Sequence, residues 1–213
     1  LGDVYKRQGE TIGIIGGTGS GKSTVVNLIP RFYDASAGQV CFLGQDVRKY
    51  RRKELRDQIG IVPQKAVLFA GTVRENMQWG KKDATDEEIW EALKTAQAEE
   101  FIRAKEGGLD ANIEQGGRNL SGGQRQRLTI ARALVKKPRV LILDDSASAL
   151  DYATDAALRK AIRQMEGAPT VFIVSQRTSS LMSADRILVL DDGEATGYGT
   201  HCLLYTSDAA DDL

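Results

Sequence analysis

The 213-residue chain carries 29 Lys and Arg against 29 Asp and Glu, with one His, so its formal net charge at neutral pH is zero. That balance argues against a nucleic-acid surface or an acidic tail as the organising feature. Two cysteines make neither a disulfide framework nor a zinc spacing and fit a reducing compartment. No apolar run approaches membrane-spanning length, which leaves open a spanning part encoded upstream.

The two ends are set aside first. Leu1–Gln8 reads as a translation of CTC GGA GAT GTG TAT AAG AGA CAG. The reverse complement of the part encoding Asp3–Gln8, shifted by one frame, encodes Cys-Leu-Leu-Tyr-Thr-Ser, which is Cys202–Ser207. One inverted repeat read from both sides explains both ends, and it resembles the transposase adapter used in sequencing libraries. Residues 1–8 and 202–213 are therefore excluded from fold reasoning. The expected natural segment is Gly9–His201, a fragment cut at both ends and large enough for one domain with a real core. Removing Lys6, Arg7, Asp3, Asp208, Asp211 and Asp212 leaves 27 basic against 25 acidic side chains.

In chain order, the apolar run Ile12-Gly13-Ile14-Ile15 precedes Gly16-Gly17-Thr18-Gly19-Ser20-Gly21-Lys22-Ser23-Thr24, and a helix-like segment, Val25–Ile29, follows. Strand, glycine loop, helix is the order a phosphate cradle requires. Glycines let the backbone turn tightly and aim several N–H groups into one concavity. Lys22 adds a point charge for β- and γ-phosphates, and the Ser23 hydroxyl suits Mg²⁺. Gly38–Gly44 reads as a short strand, with Cys41 as a small core residue. Arg48–Gln58 reads as a surface helix. Ile59–Val62 is a buried strand stopped by Pro63, with Gln64 next.

Thr85 and Glu88 form a capping-box pattern, and Ile89, Ala92, Leu93 and Ala96 mark one helical face. Glu99–Lys105 continues this helical region. Leu120-Ser121-Gly122-Gly123-Gln124 opens the next helix, as a second anion-binding terminus or as an ordinary cap. Val140–Leu143 is a strand of parallel type ending in Asp144-Asp145, where carboxylates face the ligand crevice and Asp144 suits Mg²⁺, directly or through water. A helix follows with Ala157, Leu158, Ala161, Ile162 and Met165 on one side. Thr170–Val174 is a strand ending at Ser175-Gln176-Arg177, and Arg186–Leu190 with Gly193 and Gly197 predicts a strand and hairpin. Alternating strands and helices predict an α/β domain with a mainly parallel sheet, and the helices between Gln64 and Ser121 a side lobe.

These motifs together resemble the nucleotide-binding domain of an ABC transporter, of the exporter type with a fused membrane domain. The resemblance covers nearly all of Gly9–His201 and implies a P-loop NTPase core lacking its N-terminal strands, with a helical subdomain at about residues 65–135. The motifs stand in family order: phosphate loop Gly16–Thr24, Q-loop Gln64, signature Leu120–Gln124, Walker B strand Val140–Asp144, D-loop Ser148–Asp151 and switch region Ser175–Arg177. LSGGQ is the most specific of them. Leu68–Asn76 and Gly199–His201 also match the exporter style.

The resemblance implies ATP and Mg²⁺ as ligands, with Ser23, Gln64 and Asp144 around the metal. It implies a head-to-tail dimer with a second such domain, identical or different. In that dimer Ser121, Gly122, Gly123, Gln124 and Asp151 serve the partner's nucleotide. It further implies a transmembrane partner, a place on the cytoplasmic face of the cell membrane, and no nucleic acid.

Two positions depart from the family. Asp145 stands where a Glu polarises the attacking water, and Gln176 replaces the switch His. The Asp145 carboxylate sits back by roughly 1.5 Å, and a misplacement of about 1 Å can lower a rate on the order of 10²-fold. Gln176 can still donate a hydrogen bond but cannot shuttle a proton. Together these changes resemble the degenerate site of a heterodimeric exporter. The alternatives are a fully active homodimeric exporter, an ABC ATPase outside transport, or an ATP-binding module without turnover. The family's adenine-stacking aromatic falls upstream; Tyr5 is too close to Gly16 to take that role.

Overall fold

The computed structural model describes residues 9–146, 149–176 and 178–200. The two excluded ends, Tyr5 and His201 lie outside them, as do Ser148 and Arg177.

Strand β1, Thr11–Ile15, is rich in β-branched residues and sits in the middle of a six-stranded sheet. It pairs in parallel with β8 (Thr170–Val174) on one side and β9 (Arg186–Asp191) on the other. Beyond β8 lie β7 (Val140–Asp144) and then β4 (Ile59–Val62), both parallel. Only β10 (Glu194–Gly199) runs antiparallel, as the hairpin partner of β9 at the sheet edge. The α/β reading with a mainly parallel sheet therefore holds.

The side-chain period of two splits the strands between two cores. Ile12, Ile14, Ile59, Ile142 and Val174 pack with Val26 of α1 (Lys22–Leu28) and Leu55 of α2 (Arg52–Asp57). Leu141, Leu143, Val171 and Ile173 pack on the opposite face, against α6 (Gly122–Leu134) and α7 (Tyr152–Arg163). Three shorter helices extend that second core: α3 (Val73–Gln78), α4 (Asp86–Thr95) and α5 (Glu99–Arg103). Thr72/Glu75 and Thr85/Glu88 close full capping boxes on α3 and α4. Ile89, Ala92, Leu93 and Ala96 are all buried, as the periodicity predicts. Small antiparallel pairs, β2 (Cys41–Phe42) with β3 (Gln45–Asp46) and β5 (Gly71–Thr72) with β6 (Asn112–Ile113), finish the architecture.

Three local expectations are corrected. The strand at 38–44 is a two-residue hairpin arm, turning through Leu43 and Gly44, both at positive φ. Alternation then points Phe42 inward and leaves Cys41 exposed, not in the core. The helix expected over 48–58 is broken: Asp46 caps one 3-10 turn (Val47–Lys49), Tyr50 and Arg51 are extended, and α2 starts afresh at Arg52. The Tyr50 hydroxyl donates to the Phe42 carbonyl at 2.8 Å, and this tie holds the chain out of helix. On α7, Leu158 and Ile162 are buried but Ala157 faces solvent, so the apolar stripe is narrower than its residue types imply. Among the described residues no helix is long and apolar enough to cross a membrane.

Candidate nucleotide site

Adjacent parallel strands share one carboxyl edge, and register fixes how level that edge is. Ile14 of β1 pairs with Val174 of β8, Val174 with Asp144 of β7, and Leu143 with Val62 of β4. The glycine loop, Gln176, Asp144-Asp145 and Gln64 therefore leave the sheet side by side, where open α/β sheets bind ligands.

The loop itself is shaped by close approach. A Cβ on Gly16 would stand 2.2 Å from the Leu190 carbonyl and 2.5 Å from Ser20 Oγ, so no side chain fits there. Gly19 and Gly21 sit at φ +85 and +91, in the left-handed region that glycine enters freely. Gly17, Thr18, Gly19, Ser23 and Thr24 are exposed, while Ser20 is buried against Gly16. Lys22 is only 8 % exposed, and its Nζ donates to the carbonyls of Gly16 at 2.7 Å and Gly17 at 2.5 Å. A buried ammonium is thus held at the loop by the loop's own backbone, a fixed positive charge suited to phosphate.

Ser23 Oγ donates to Asp144 Oδ1 at 3.4 Å. Burial pushes the Asp144 carboxyl above its usual range, Ser23 opposes this, and the neighbouring Asp145 adds to it. A cation between these groups would relieve that burden. One carboxylate and one hydroxyl form a hard-oxygen set that fits Mg²⁺, which leaves its other positions to water and phosphate oxygens. Gln64 Nε2 donates to Asp145 Oδ2 at 3.2 Å, next to the residue pair Asp144 and Ser23. Asp145 adopts φ +46, and its N–H donates to the Val174 carbonyl at 2.9 Å. Asp is among the few side chains that enter this backbone region readily. Gln176 is exposed, just beyond Ser175, whose N–H bonds the Ile14 carbonyl at 3.1 Å.

The second cluster is built elsewhere. Ser121 Oγ accepts from the Gln124 N–H at 3.2 Å, and Gln124 Oε1 accepts from the Ser121 N–H at 3.0 Å. The cap reading of Ser121 is therefore real, and the S-x-x-Q spacing is its signal in the sequence. A Cβ on Gly122 would enter open space, whereas one on Gly123 would meet the Ala149 carbonyl at 3.3 Å. Asp151 caps α7, accepting from Thr154 N–H at 2.9 Å and Thr154 Oγ1 at 2.7 Å. Those two bonds hold its carboxyl below the usual range. Among the described residues, no hydrogen bond joins Ser121–Gln124 or Asp151 to the glycine loop. Motif reading did not show two features of this region: the Leu190 carbonyl under the loop, and Arg127 behind Gly123. The first is a long-range contact with no local pattern; the second is a one-turn contact whose other partners, Gln97 and Phe101, are distant in sequence.

The ABC transporter family profile matches residues 3–148. An uncharacterized ABC transporter ATP-binding protein of Mycobacterium tuberculosis is 47% identical over 198 residues, 92% of this chain and 34% of that protein. The uncharacterized ABC transporter ATP-binding protein YfiB of Bacillus subtilis is 48% identical over 192 residues, 90% of this chain and 33% of its own. A solved structure of a bacterial Atm1-family ABC exporter with ATP bound superposes with a TM-score of 0.88 at 37% identity, covering 94% of this chain and 35% of that one. The chain thus spans about a third of the length of the relatives it matches. With Gly16–Thr24, Asp144-Asp145 and Gln64 on one sheet edge, and the capped helix of Leu120–Gln124 apart from them, the chain belongs to the ABC transporter family, as an ATP-binding ATPase domain.

Proposed function

We propose that this domain powers export across a membrane by binding and hydrolysing ATP between two domains arranged head to tail, and that its own ATP site turns over slowly. One observation carries the reading. The chain holds a phosphate site and a separate LSGGQ terminus that no hydrogen bond joins within the described residues, so each is half of a site completed by another domain. ATP bridging the two halves closes the pair, hydrolysis removes the bridge, and the attached membrane part moves. That places the domain on the cytoplasmic face of the membrane, with a second nucleotide-binding domain and a fused or associated transmembrane part as partners.

Gly16–Thr24 cradles the phosphates, with Lys22 on the β- and γ-groups. Ser23 and Asp144 hold Mg²⁺, which neutralises phosphate charge when bound. Asp145 orients the attacking water, and Gln64 positions Asp145 through the 3.2 Å bond. Gln176 donates to the γ-phosphate. The shorter Asp145 and the non-titrating Gln176 fall in the same site, and Gln64 already occupies one Asp145 oxygen. That combination favours a slow site here, with an intact LSGGQ serving a fast site on a different partner.

Single-turnover hydrolysis on the full-length transporter tests this. The double change Asp145→Glu/Gln176→His is expected to raise this site's rate at least 10-fold. A wild-type site already at ordinary ABC rates, and abolished by Asp145→Ala, would show instead a homodimer with working substitutes.

A further inference from the structure

Arg127 lies one helical turn beyond Gly123 on α6. Its Nε donates to the Gly123 carbonyl at 3.4 Å and its Nη1 to the Gln97 carbonyl at 2.7 Å. The guanidinium stacks 4.8 Å from the centre of the Phe101 ring on α5. Gln97 follows the end of α4 at φ +59, an uncommon backbone state for its type. One planar fork therefore ties the first turn of α6 to the α4–α5 junction, a geometry an ammonium does not reproduce. The charges of Asp151 and Glu100 offset part of the burial cost of this guanidinium. The backbone just before Asp151 faces Gly123, with the Ala149 carbonyl 3.3 Å from an ideal Cβ.

Arg127 thus braces the start of α6 directly, and the segment leading into α7 lies against that same turn through Ala149 and Gly123. Neither is hydrogen-bonded to the chain's own phosphate loop among the described residues. On the head-to-tail reading above, on which this inference rests, these are the pieces offered to the ATP of the facing subunit. We infer that Arg127 is a positioning residue for the partner's ATP site, holding Ser121–Gln124 and the 149–151 segment in register with a triphosphate it does not touch. A slip of about 1 Å at such a distance from the chemistry is enough for a loss on the order of 10²-fold.

The test uses the full-length transporter with its two subunits distinguished by tags. Photolabelling with 8-azido-ATP reports binding by each subunit, and vanadate trapping of the labelled nucleotide reports turnover. Arg127→Met keeps an apolar stem over Phe101 and loses the fork, whereas Arg127→Lys keeps the charge. The expected result for R127M is a fall of at least 10-fold in trapping on the partner subunit. Photolabelling of this subunit should stay within two-fold, its melting temperature within about 3 °C, and R127K should fall between wild type and R127M. Equal loss on both subunits, or loss on neither, overturns the assignment. Should R127M not fold, R127K alone decides by the same criteria. Gly123→Asp in this chain separates the two readings. If it leaves the partner's trapping unchanged, the head-to-tail reading fails. If it acts on the partner and the Arg127 variants do not, only the role of Arg127 fails.

Discussion

Gly16 meets the Leu190 carbonyl and the Ser20 hydroxyl so closely that even a methyl group must displace backbone. Gly16→Ala is expected to destabilise the domain by roughly 1–3 kcal/mol and to weaken ATP binding at least 10-fold, read by thermal melting and nucleotide titration. Gly17→Ala adds its methyl to open space, so its melting temperature should stay near wild type. The contrast between neighbouring glycines of one motif was not legible in the sequence, where both are simply G, because it depends on a strand more than 170 residues away. Lys22, Ser23 and Asp144 were legible by type and order, and the structure sets them together. Gln64 was legible as a site residue, but its bond to Asp145 was not, since nothing local says which way an amide points.

Ser121 has two jobs that substitution can separate. As the N-cap of α6 it satisfies the Gln124 N–H, and Ser121→Ala should lose about 1 kcal/mol of stability. For a domain of this size that is a drop of roughly 2–4 °C in melting temperature. Ser121→Asp keeps a capping oxygen and adds a negative charge to the surface offered to a triphosphate. It should melt near wild type yet abolish ATP-dependent pairing of the domains, measured by size-exclusion chromatography with and without ATP. A second element end responds to pH. Thr154 holds the Asp151 carboxyl below its usual range, so this cap stabilises α7 fully above the unfolded carboxyl's titration near pH 4. The contribution is lost as pH falls through the lower, folded value. The melting-temperature gap between wild type and Asp151→Ala should be widest near neutrality and close in strong acid. Helix starts were the most legible elements, because a cap is written in three or four consecutive residues: Thr85-Asp86-Glu87-Glu88 was read directly. The broken helix at 48–58 was not, because Tyr50 is pulled away by Phe42 across a hairpin. Cys41 escapes the sequence for a different reason: a two-residue strand is too short for alternation to be read.

Across the whole molecule, the class of fold and the sheet edge that carries the site followed from strand–helix alternation. The order β10-β9-β1-β8-β7-β4 did not, since pairing between distant strands leaves no local trace. That order has a consequence in time. Among the described residues β1 precedes the other large-sheet strands, yet its partners β8 and β9 come from residues 170–191, and the loop after β1 rests on Leu190. During synthesis the phosphate loop therefore leaves the ribosome without walls or floor. It stays incompetent until almost the entire described chain has emerged. ATP capture by stalled nascent chains should switch on only once β9 has cleared the exit tunnel, long after Gly16–Thr24 itself has been made.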